Sequence, residues 1–503
     1  MYNNFWEMFA MILYLILVVG VGVYFFAKSK AAKNVGGDKD YFLGGRNMGG
    51  WVAALSAGAS DMSAWVLMGL PGAIYLLGLG QVWISVGLLL GTVLAWIFIA
   101  PRLRRYSIRA NDSITVPQFL TNRFMSKNKS LQVVSAIVFL VVYCVYSASS
   151  IKACGDVFNS VINMDKNVAM IIATAVIVVY TFLGGFNAVC WTDFFQGMMM
   201  LAALMLAPII ALFMMKSPSF VAPAANVPEN FYNILSSGKF DSQSIVDILS
   251  GLGWGLGYAG MPHIIVRYMS IKSEKEMKKS QTVGCFWTAL ILAMATVVAI
   301  VGRSFLGDSL ANPDDKTFVF INMVREVFKF APFLVGILLS AILAASMSTA
   351  DSQLLLASSA FSADVYKPVI NKKASDKEVM WAGRIVVIII AIIAFFIAAS
   401  GKFGGIMELV ENAWGGFGAS FGPVIILALY WKRLTYSGAV AGICTGFAVD
   451  VLWLIFLKTP TGLYEIIPGF IAGLLAAIIV SLLSKKPSKE VCNLFEEAKK
   501  PID

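Results

Sequence analysis

The segment LSAGASDMSAW, Leu55 to Trp65, places an acidic side chain in an apolar stretch of chain. Asp61 is the only charged residue between Asn47 and Pro101, and serines and small residues surround it. A buried charge is costly unless it is paired, hydrated or hydrogen-bonded. The segment therefore indicates either a binding site or a structural acid that accepts hydrogen bonds from nearby amides.

The composition decides the class of fold. The chain has 503 residues, of which 58% are hydrophobic and 14% charged, whereas soluble domains carry roughly 25% charged residues. The mean hydropathy is +0.78. A chain this apolar uses lipid as its solvent, where only helices or a closed barrel satisfy the backbone. Apolar runs of about twenty residues favour helices over barrel strands, so we predict an all-α integral membrane protein.

Hydropathy windows predict about thirteen transmembrane helices in one membrane domain covering residues 1–503. The spans are 5–27, 49–78, 81–100, 131–160, 166–185, 192–215, 244–270, 279–306, 331–358, 379–400, 405–430, 437–457 and 465–484. Residues 485–503 then form a cytoplasmic tail.

The net charge of +10 predicts the orientation of these spans. With the N-terminus outside and the C-terminus in the cytoplasm, about three quarters of the Lys and Arg residues face inward, as the positive-inside rule requires. The densest basic segments, RLRRYSIR (Arg102–Arg109) and KSEKEMKK (Lys272–Lys279), are short loops rather than one basic stripe. We therefore expect contact with the lipid bilayer and none with nucleic acid.

Two spans have the composition of interrupted helices. The second contains Asp61, and the seventh contains SGLGWGLGYAGMPH (Ser250–His263), with five glycines and a proline. Glycine costs about 1 kcal/mol and proline about 3 kcal/mol in a helix interior. If 49–215 and 244–430 are two five-helix repeats, each begins with its interrupted helix, which is typical of a transporter with inverted repeats. Close helix packing through small residues is the alternative explanation.

A third segment, SAILAASMSTADSQ (Ser340–Gln353) in the ninth span, is rich in hydroxyl groups. Hydroxyls from an intact helix, together with carbonyls from an unwound one, could coordinate sodium without a second full charge. Transition metals would require Cys or His clusters, and the chain has one histidine. The alternative is that each hydroxyl bonds to a carbonyl of its own helix.

These segments resemble the solute:sodium symporter family. The matching stretches are YFLGGR (Tyr41–Arg46), ALSAGASDMSAWVLMGLPGA (Ala54–Ala73), YTFLGGFNAVCWTDFFQ (Tyr180–Gln196), GWGLGYAGMPHIIVRYM (Gly253–Met269), LLSAILAASMST (Leu338–Thr349) and LYEIIPGF (Leu463–Phe470). The strings SAGASDMS and GWGLGYAGMPH resemble the proline-carrying branch of the family in particular.

The resemblance implies a leucine-transporter-type fold of five plus five inverted helices, with one helix before them (5–27) and two after (437–484). It also implies uptake of L-proline coupled to sodium, in the bacterial cytoplasmic membrane, without a cofactor or an obligatory protein partner. Sodium would be a co-transported substrate. The implied sodium ligands are the carbonyls of Ala59, Met62 and Ala345 and the hydroxyls of Ser348 and Thr349. The implied substrate contacts are Trp65, Tyr146, Trp254, Tyr258 and Pro262, and the residues implied in coupling are Asp61 and Ser63.

Two positions depart from the pattern of the proline branch. Ala64 replaces a glycine and Met261 replaces a glutamine. Symport of another small solute, such as pantothenate, a sugar or sialic acid, therefore stays open, as does a cation channel. An enzyme is not expected, because the chain has neither an HExxH motif nor a phosphate-binding loop.

The other charged residues of the spans carry simpler expectations. Four acidic residues near span ends are expected to be solvated: Asp193, Glu408, Glu411 and Asp450. For Asp193, a further cation-binding position is the alternative. Arg267 is expected to mark the inner membrane surface.

Overall fold

The computed structural model describes residues 4–31, 42–310, 312 and 315–502. Tyr41, the first residue of the YFLGGR stretch, lies outside them. Within these ranges the fold is helical, and the one β-type contact is an isolated bridge between Met48 and Ile271. The chain is therefore all-α, as predicted.

The fold of the described residues is built mainly from eighteen helices. They are α1 (Asn4–Ala31), α2 (Gly50–Asp61), α3 (Trp65–Leu77), α4 (Leu79–Arg109), α5 (Val116–Arg123), α6 (Ser130–Ile162), α7 (Lys166–Val179), α8 (Gly185–Met215), α9 (Ser242–Gly253), α10 (Pro262–Ser270), α11 (Glu274–Leu306), α12 (Val319–Val327), α13 (Pro332–Ile370), α14 (Asp376–Ser400), α15 (Ile406–Tyr430), α16 (Tyr436–Thr461), α17 (Ile466–Leu483) and α18 (Lys489–Glu497). The arms α7 and α8 form one helical run that bends at Gly185, where φ is 63° and ψ 176°.

The helices follow the predicted spans closely. Nine helices of the described chain are long and apolar enough to cross a membrane, and the bent pair α2–α3 makes a tenth. Two shorter apolar helices, Phe5–Val21 and Lys166–Val179, lie at the first and fifth predicted spans. The remaining predicted span corresponds to the interrupted segment from α9 to α10. The total of thirteen stays a prediction.

The second span breaks directly after Asp61. α2 ends there, Met62 leaves helical geometry with φ −80° and ψ 72°, and α3 continues at an angle of 60° to α2. Met62 N still donates to Gly58 O at 2.8 Å, and Ser63 N donates to Asp61 O at 2.9 Å. The break consequently presents irregular backbone inside the protein, where a membrane protein tolerates it only if a cavity or ligand uses it.

The seventh span is also interrupted, as its glycines predict. α9 continues as a tighter 3₁₀ helix over Trp254–Ala259, the chain turns at Gly260, and α10 begins at Pro262. A Cβ at Gly260 would lie 2.5 Å from the carbonyl oxygen of Phe417 in α15. Glycine is required here because two backbones approach closely, and proline suits the first turn of the new helix.

The hydroxyl-rich helix α13 lies at the centre of the molecule. It packs against α1, α6, α14 and the Lys166–Met215 run, and every residue from Leu338 to Ala360 is buried. It also contacts α2 just before the break. The fold therefore brings the third polar segment of the sequence to the interrupted second span.

Candidate substrate and ion site

Three of the residues predicted as sodium ligands meet around the hydroxyl of Ser348. Its Oγ donates to the carbonyl of Ala59 in α2 at 2.9 Å and lies 3.1 Å from the carbonyl oxygen of Ala345 in its own helix. These three groups were predicted from the sequence as ligands of one ion. Two carbonyls and a hydroxyl thus meet near the C-terminal end of α2. They supply oxygen ligands of the kind that a hard cation prefers.

The other two predicted ligands border this cluster. Met62 occupies the break in the second span, three residues after Ala59. Thr349 follows Ser348, and its buried Oγ1 has no hydrogen-bond partner among the described residues. Ser63, one residue beyond Met62, likewise has a buried hydroxyl that nothing in the described ranges pairs with. Buried polar atoms of this kind are uncommon in native structures and indicate a ligand, water or strain.

Asp61 connects the two interrupted spans. Its carboxylate Oδ2 accepts a hydrogen bond from the Tyr258 hydroxyl at 2.5 Å, and its other oxygen, Oδ1, is buried without a partner in the described chain. Its carbonyl accepts a hydrogen bond from Trp65 Nε1 at 3.1 Å. The acid in the opening segment is therefore neither solvated nor bonded only to local amides. It joins the 3₁₀ turn of the seventh span to the break in the second.

Three of the four predicted aromatic residues, Trp65, Trp254 and Tyr258, belong to one buried cluster beside this carboxylate. The ring centroids of Trp65 and Trp254 are 6.1 Å apart, and Tyr258 packs edge-on against Trp414 at 5.1 Å. Trp414 Nε1 donates to the Trp254 carbonyl at 2.7 Å. Aromatic faces attract ammonium groups and apolar rings alike, so this cluster offers the chemistry that a small ammonium-bearing solute requires.

The last two predicted substrate residues lie at a separate pair of buried rings. Tyr146, in α6, packs against His263 with ring centroids 5.8 Å apart, and His263 directly follows Pro262. The Tyr146 hydroxyl and both His263 ring nitrogens are buried and lack partners within the residues that the structure describes. The contacts do not link Tyr146 directly to Trp65.

Sequence reasoning missed two members of the aromatic cluster, Trp414 and Tyr464. Tyr464 stacks on Trp254 with centroids 5.3 Å apart, and its hydroxyl donates to the Glu411 carbonyl at 2.8 Å. Trp414 lies in α15 and Tyr464 in the connection between α16 and α17, both far from the interrupted spans in sequence. The LYEIIPGF stretch contained the signal for Tyr464, whereas nothing local distinguished Trp414 from an ordinary membrane tryptophan.

The expectation that Arg267 marks the inner surface is wrong, and so is the expectation of a solvated Asp193. Both side chains are buried, and Arg267 Nη2 lies 2.9 Å from Asp193 Oδ2. Arg267 also donates to Ser56 at 2.9 Å and to Ser352 at 2.5 Å. A buried charge must be paired and hydrogen-bonded, and these partners come from three different helices, which no local pattern reveals. Asp450 is buried as well.

The two departures from the proline branch are both at the breaks. Ala64 and Met261 are buried, and each immediately precedes a helix that continues an interrupted span. Both residues therefore lie in the chain segments at the two breaks and not in the hydroxyl-rich helix.

Two interrupted helices crossing beside an intact, hydroxyl-rich helix define a membrane transporter of the leucine-transporter fold class. A solved structure of a sodium-coupled sialic acid symporter has this fold: its TM-score to this chain is 0.75 at 19% sequence identity, with 96% of this chain and 99% of that chain covered. At this identity the likeness concerns the fold alone.

The model of the sodium:solute symporter family matches residues 41–446, and the chain belongs to that family. The high-affinity proline transporter PutP of Bacillus subtilis is 44% identical over 91% of this chain and 95% of its own length. A sodium/proline symporter of Haemophilus influenzae is 39% identical over 98% and 97%. The chain is thus a multi-pass inner-membrane carrier with sodium as co-transported substrate, not an enzyme.

Proposed function

We propose that this protein couples the inward flux of sodium to the uptake of L-proline by alternating access. The observation that carries the proposal is the meeting of Ser348, Ala59 and Ala345 beside the Asp61–Tyr258 bond. Neutral oxygens suited to a cation lie there next to a buried aromatic cluster, in a chain 44% identical to a proline transporter.

The aromatic cluster supports an imino acid as the substrate. The proline ring requires an apolar face, for which Trp65, Trp254 and Tyr258 are available. Its secondary ammonium suits an aromatic face or free carbonyls, and its carboxylate suits a helix N-terminus or the bound sodium. The break before α10 provides such an N-terminus, with Pro262 in its first turn.

The sodium gradient supplies enough free energy for accumulation. One sodium ion entering down a potential of 100 mV releases about 2.3 kcal/mol, and a tenfold sodium gradient adds about 1.4 kcal/mol. Together they support a proline gradient of roughly several hundredfold for a net-neutral zwitterion. Residues 49–215 and 244–430 would be the two inverted repeats that rock against each other around the site.

The contacts at one end of the molecule support an inward-facing C-terminus. Arg105 Nε in the first basic segment lies 2.7 Å from Glu274 in the second. Arg109 donates to the carbonyl of Lys500 at 2.7 Å, so the tail lies at the same end. The two most basic segments and the C-terminus therefore share one side, which we propose to be the cytoplasm, with the N-terminus outside.

The experiment is uptake into proteoliposomes of purified protein. Radiolabelled L-proline should accumulate when sodium is present outside and potassium inside, and should not accumulate when choline replaces sodium. Pantothenate, galactose and sialic acid, offered in the same assay, should accumulate at less than about a tenth of the proline level. Preferential uptake of one of them would reassign the substrate, and a sodium current without any substrate would indicate a channel.

A further inference from the structure

A group of four charged residues adjoins Tyr464 of the aromatic cluster; two of them are buried and two are partly exposed. Lys458, near the end of α16, lies 3.1 Å from Glu411 Oε2 of α15 and 3.0 Å from Glu465 Oε2 just before α17. Asp450, two turns earlier in α16, completes the group. We call these four residues the carboxylate cluster; it contains three acids and one base.

Asp450 is the innermost member of the carboxylate cluster. It is 1% exposed, and its Oδ1 has no hydrogen-bond partner in the part of the chain that the structure describes. Oδ1 lies 2.8 Å from the point that a Cβ at Gly415 would occupy, and Glu465 Cγ lies 3.3 Å from the same point. The unpartnered oxygen of Asp450 and the side chain of Glu465 thus both lie against the bare Gly415, so this oxygen is directed toward the acidic part of the cluster.

The charges of the cluster do not cancel. Lys458 already bridges two carboxylates, Glu411 and Glu465. The charged groups that act on Asp450 are Glu465, which repels its charge, and Lys458, which stabilises it; Tyr464 adds only a neutral phenol. An unpaired carboxylate buried in this way costs several kcal/mol, so it binds either a cation or a proton.

We propose that the carboxylate cluster is a proton-binding site with Asp450 as the proton acceptor. A proton satisfies Oδ1 directly and removes one of the two surplus negative charges. A metal ion is the weaker occupant, because no group of three acidic, His or Cys ligands in the described residues has metal-binding spacing. Lys458 and Glu411 are 26% and 22% exposed, so the outer part of the cluster is accessible.

The position of the site connects it to the aromatic cluster. Tyr464, a member of the aromatic cluster, contacts both groups: its ring centroid is 5.6 Å from Lys458 Nζ and 5.3 Å from the ring centroid of Trp254. Binding or release of the proton changes the net charge of the carboxylate cluster next to Tyr464. The inference does not depend on the identity of the transported solute, because it concerns residues outside the proposed substrate and sodium sites.

Infrared difference spectroscopy of the purified protein tests the proposal without transport. The carbonyl-stretch band of neutral carboxylic acids should lose intensity as the pH is raised, and one component of that loss should come from Asp450. Asp450→Asn should lack that titrating component. The matched control, Glu229→Gln, removes an exposed acid on a loop and should keep it. An identical titrating band in wild type and Asp450→Asn would overturn the proposal.

A second variant and a change of cation test the proposal independently of Asp450→Asn. Lys458→Met removes the only base of the cluster and should raise the midpoint of the titration by about one pH unit or more, because the acids lose their counter-ion. An unchanged midpoint would contradict the proposal even if the Asn variant does not fold. Replacing choline by sodium at pH 8 should leave the band unchanged, whereas its loss would mean that an alkali ion displaces the proton, and the proton assignment would be wrong.

Discussion

Asp61 contributes both a charge and a hydrogen bond, and two substitutions separate these contributions. Asp61→Asn removes the charge but keeps an oxygen that accepts from Tyr258, whereas Tyr258→Phe removes the bond and keeps the carboxylate. If the charge attracts sodium toward the break, Asp61→Asn should raise the sodium concentration for half-maximal proline uptake at least about tenfold, or about 1.4 kcal/mol.

Tyr258→Phe should instead raise the proline concentration needed for half-maximal uptake, because Tyr258 belongs to the aromatic cluster. Initial rates of uptake measured over a range of sodium and proline concentrations check both results. Unchanged sodium dependence in Asp61→Asn would show that the acid is structural.

Two serines of α13 provide a matched comparison for the ion site. Ser348 bonds across to Ala59 of α2, whereas Ser346 donates to the Ile342 carbonyl of its own helix at 2.9 Å. Ser348→Ala should weaken sodium activation about tenfold or more, since an oxygen ligand is lost. Ser346→Ala should stay within about twofold, because one local hydrogen bond contributes little. Equal effects in the sodium-activation assay would contradict the proposed ligand set.

At the scale of the helix, the 3₁₀ turn of the seventh span depends on glycine. A Cβ at Gly257 would lie 2.0 Å from Trp414 Nε1, the group that bonds to the Trp254 carbonyl. Gly257→Ala must displace Trp414 or the turn, and overpacking of this kind costs about 1–3 kcal/mol. We expect uptake to fall by about 90% or more at normal expression.

The control for this change is Gly20→Ala in α1. No described heavy atom lies within 4 Å of the added Cβ there, so uptake should match wild type. Wild-type uptake by Gly257→Ala, measured in the same membranes, would mean that the close approach of α15 is not required.

The interrupted helices could be predicted from sequence because glycine and proline act locally on backbone geometry. Each break falls within the segment that its composition indicated, after Asp61 and before Pro262. The partners of buried charges could not be predicted in this way. Arg267 of α10 meets Asp193 of α8 only because the folded chain brings the two side chains together, and such contacts depend on tertiary structure that single-sequence patterns do not contain.

At the scale of the whole molecule, the proposed orientation gives a labelling pattern. A cysteine introduced at Ser219, in the loop after α8, should react with a membrane-impermeant maleimide in intact cells. A cysteine at Lys486, between α17 and α18, should react only after the membrane is permeabilised. The unsubstituted protein provides the background from its six native cysteines. The reverse pattern would invert the topology.

The central claim is that the two interrupted helices hold the ion and the imino acid side by side. A cryo-electron-microscopy map of the protein in lipid nanodiscs with sodium and L-proline tests it most directly. The account predicts density for an ion between Ala59, Ala345 and Ser348, and for a proline ring against Trp65 and Trp254. Continuous α-helices in both spans, or ligands bound away from these residues, would contradict it.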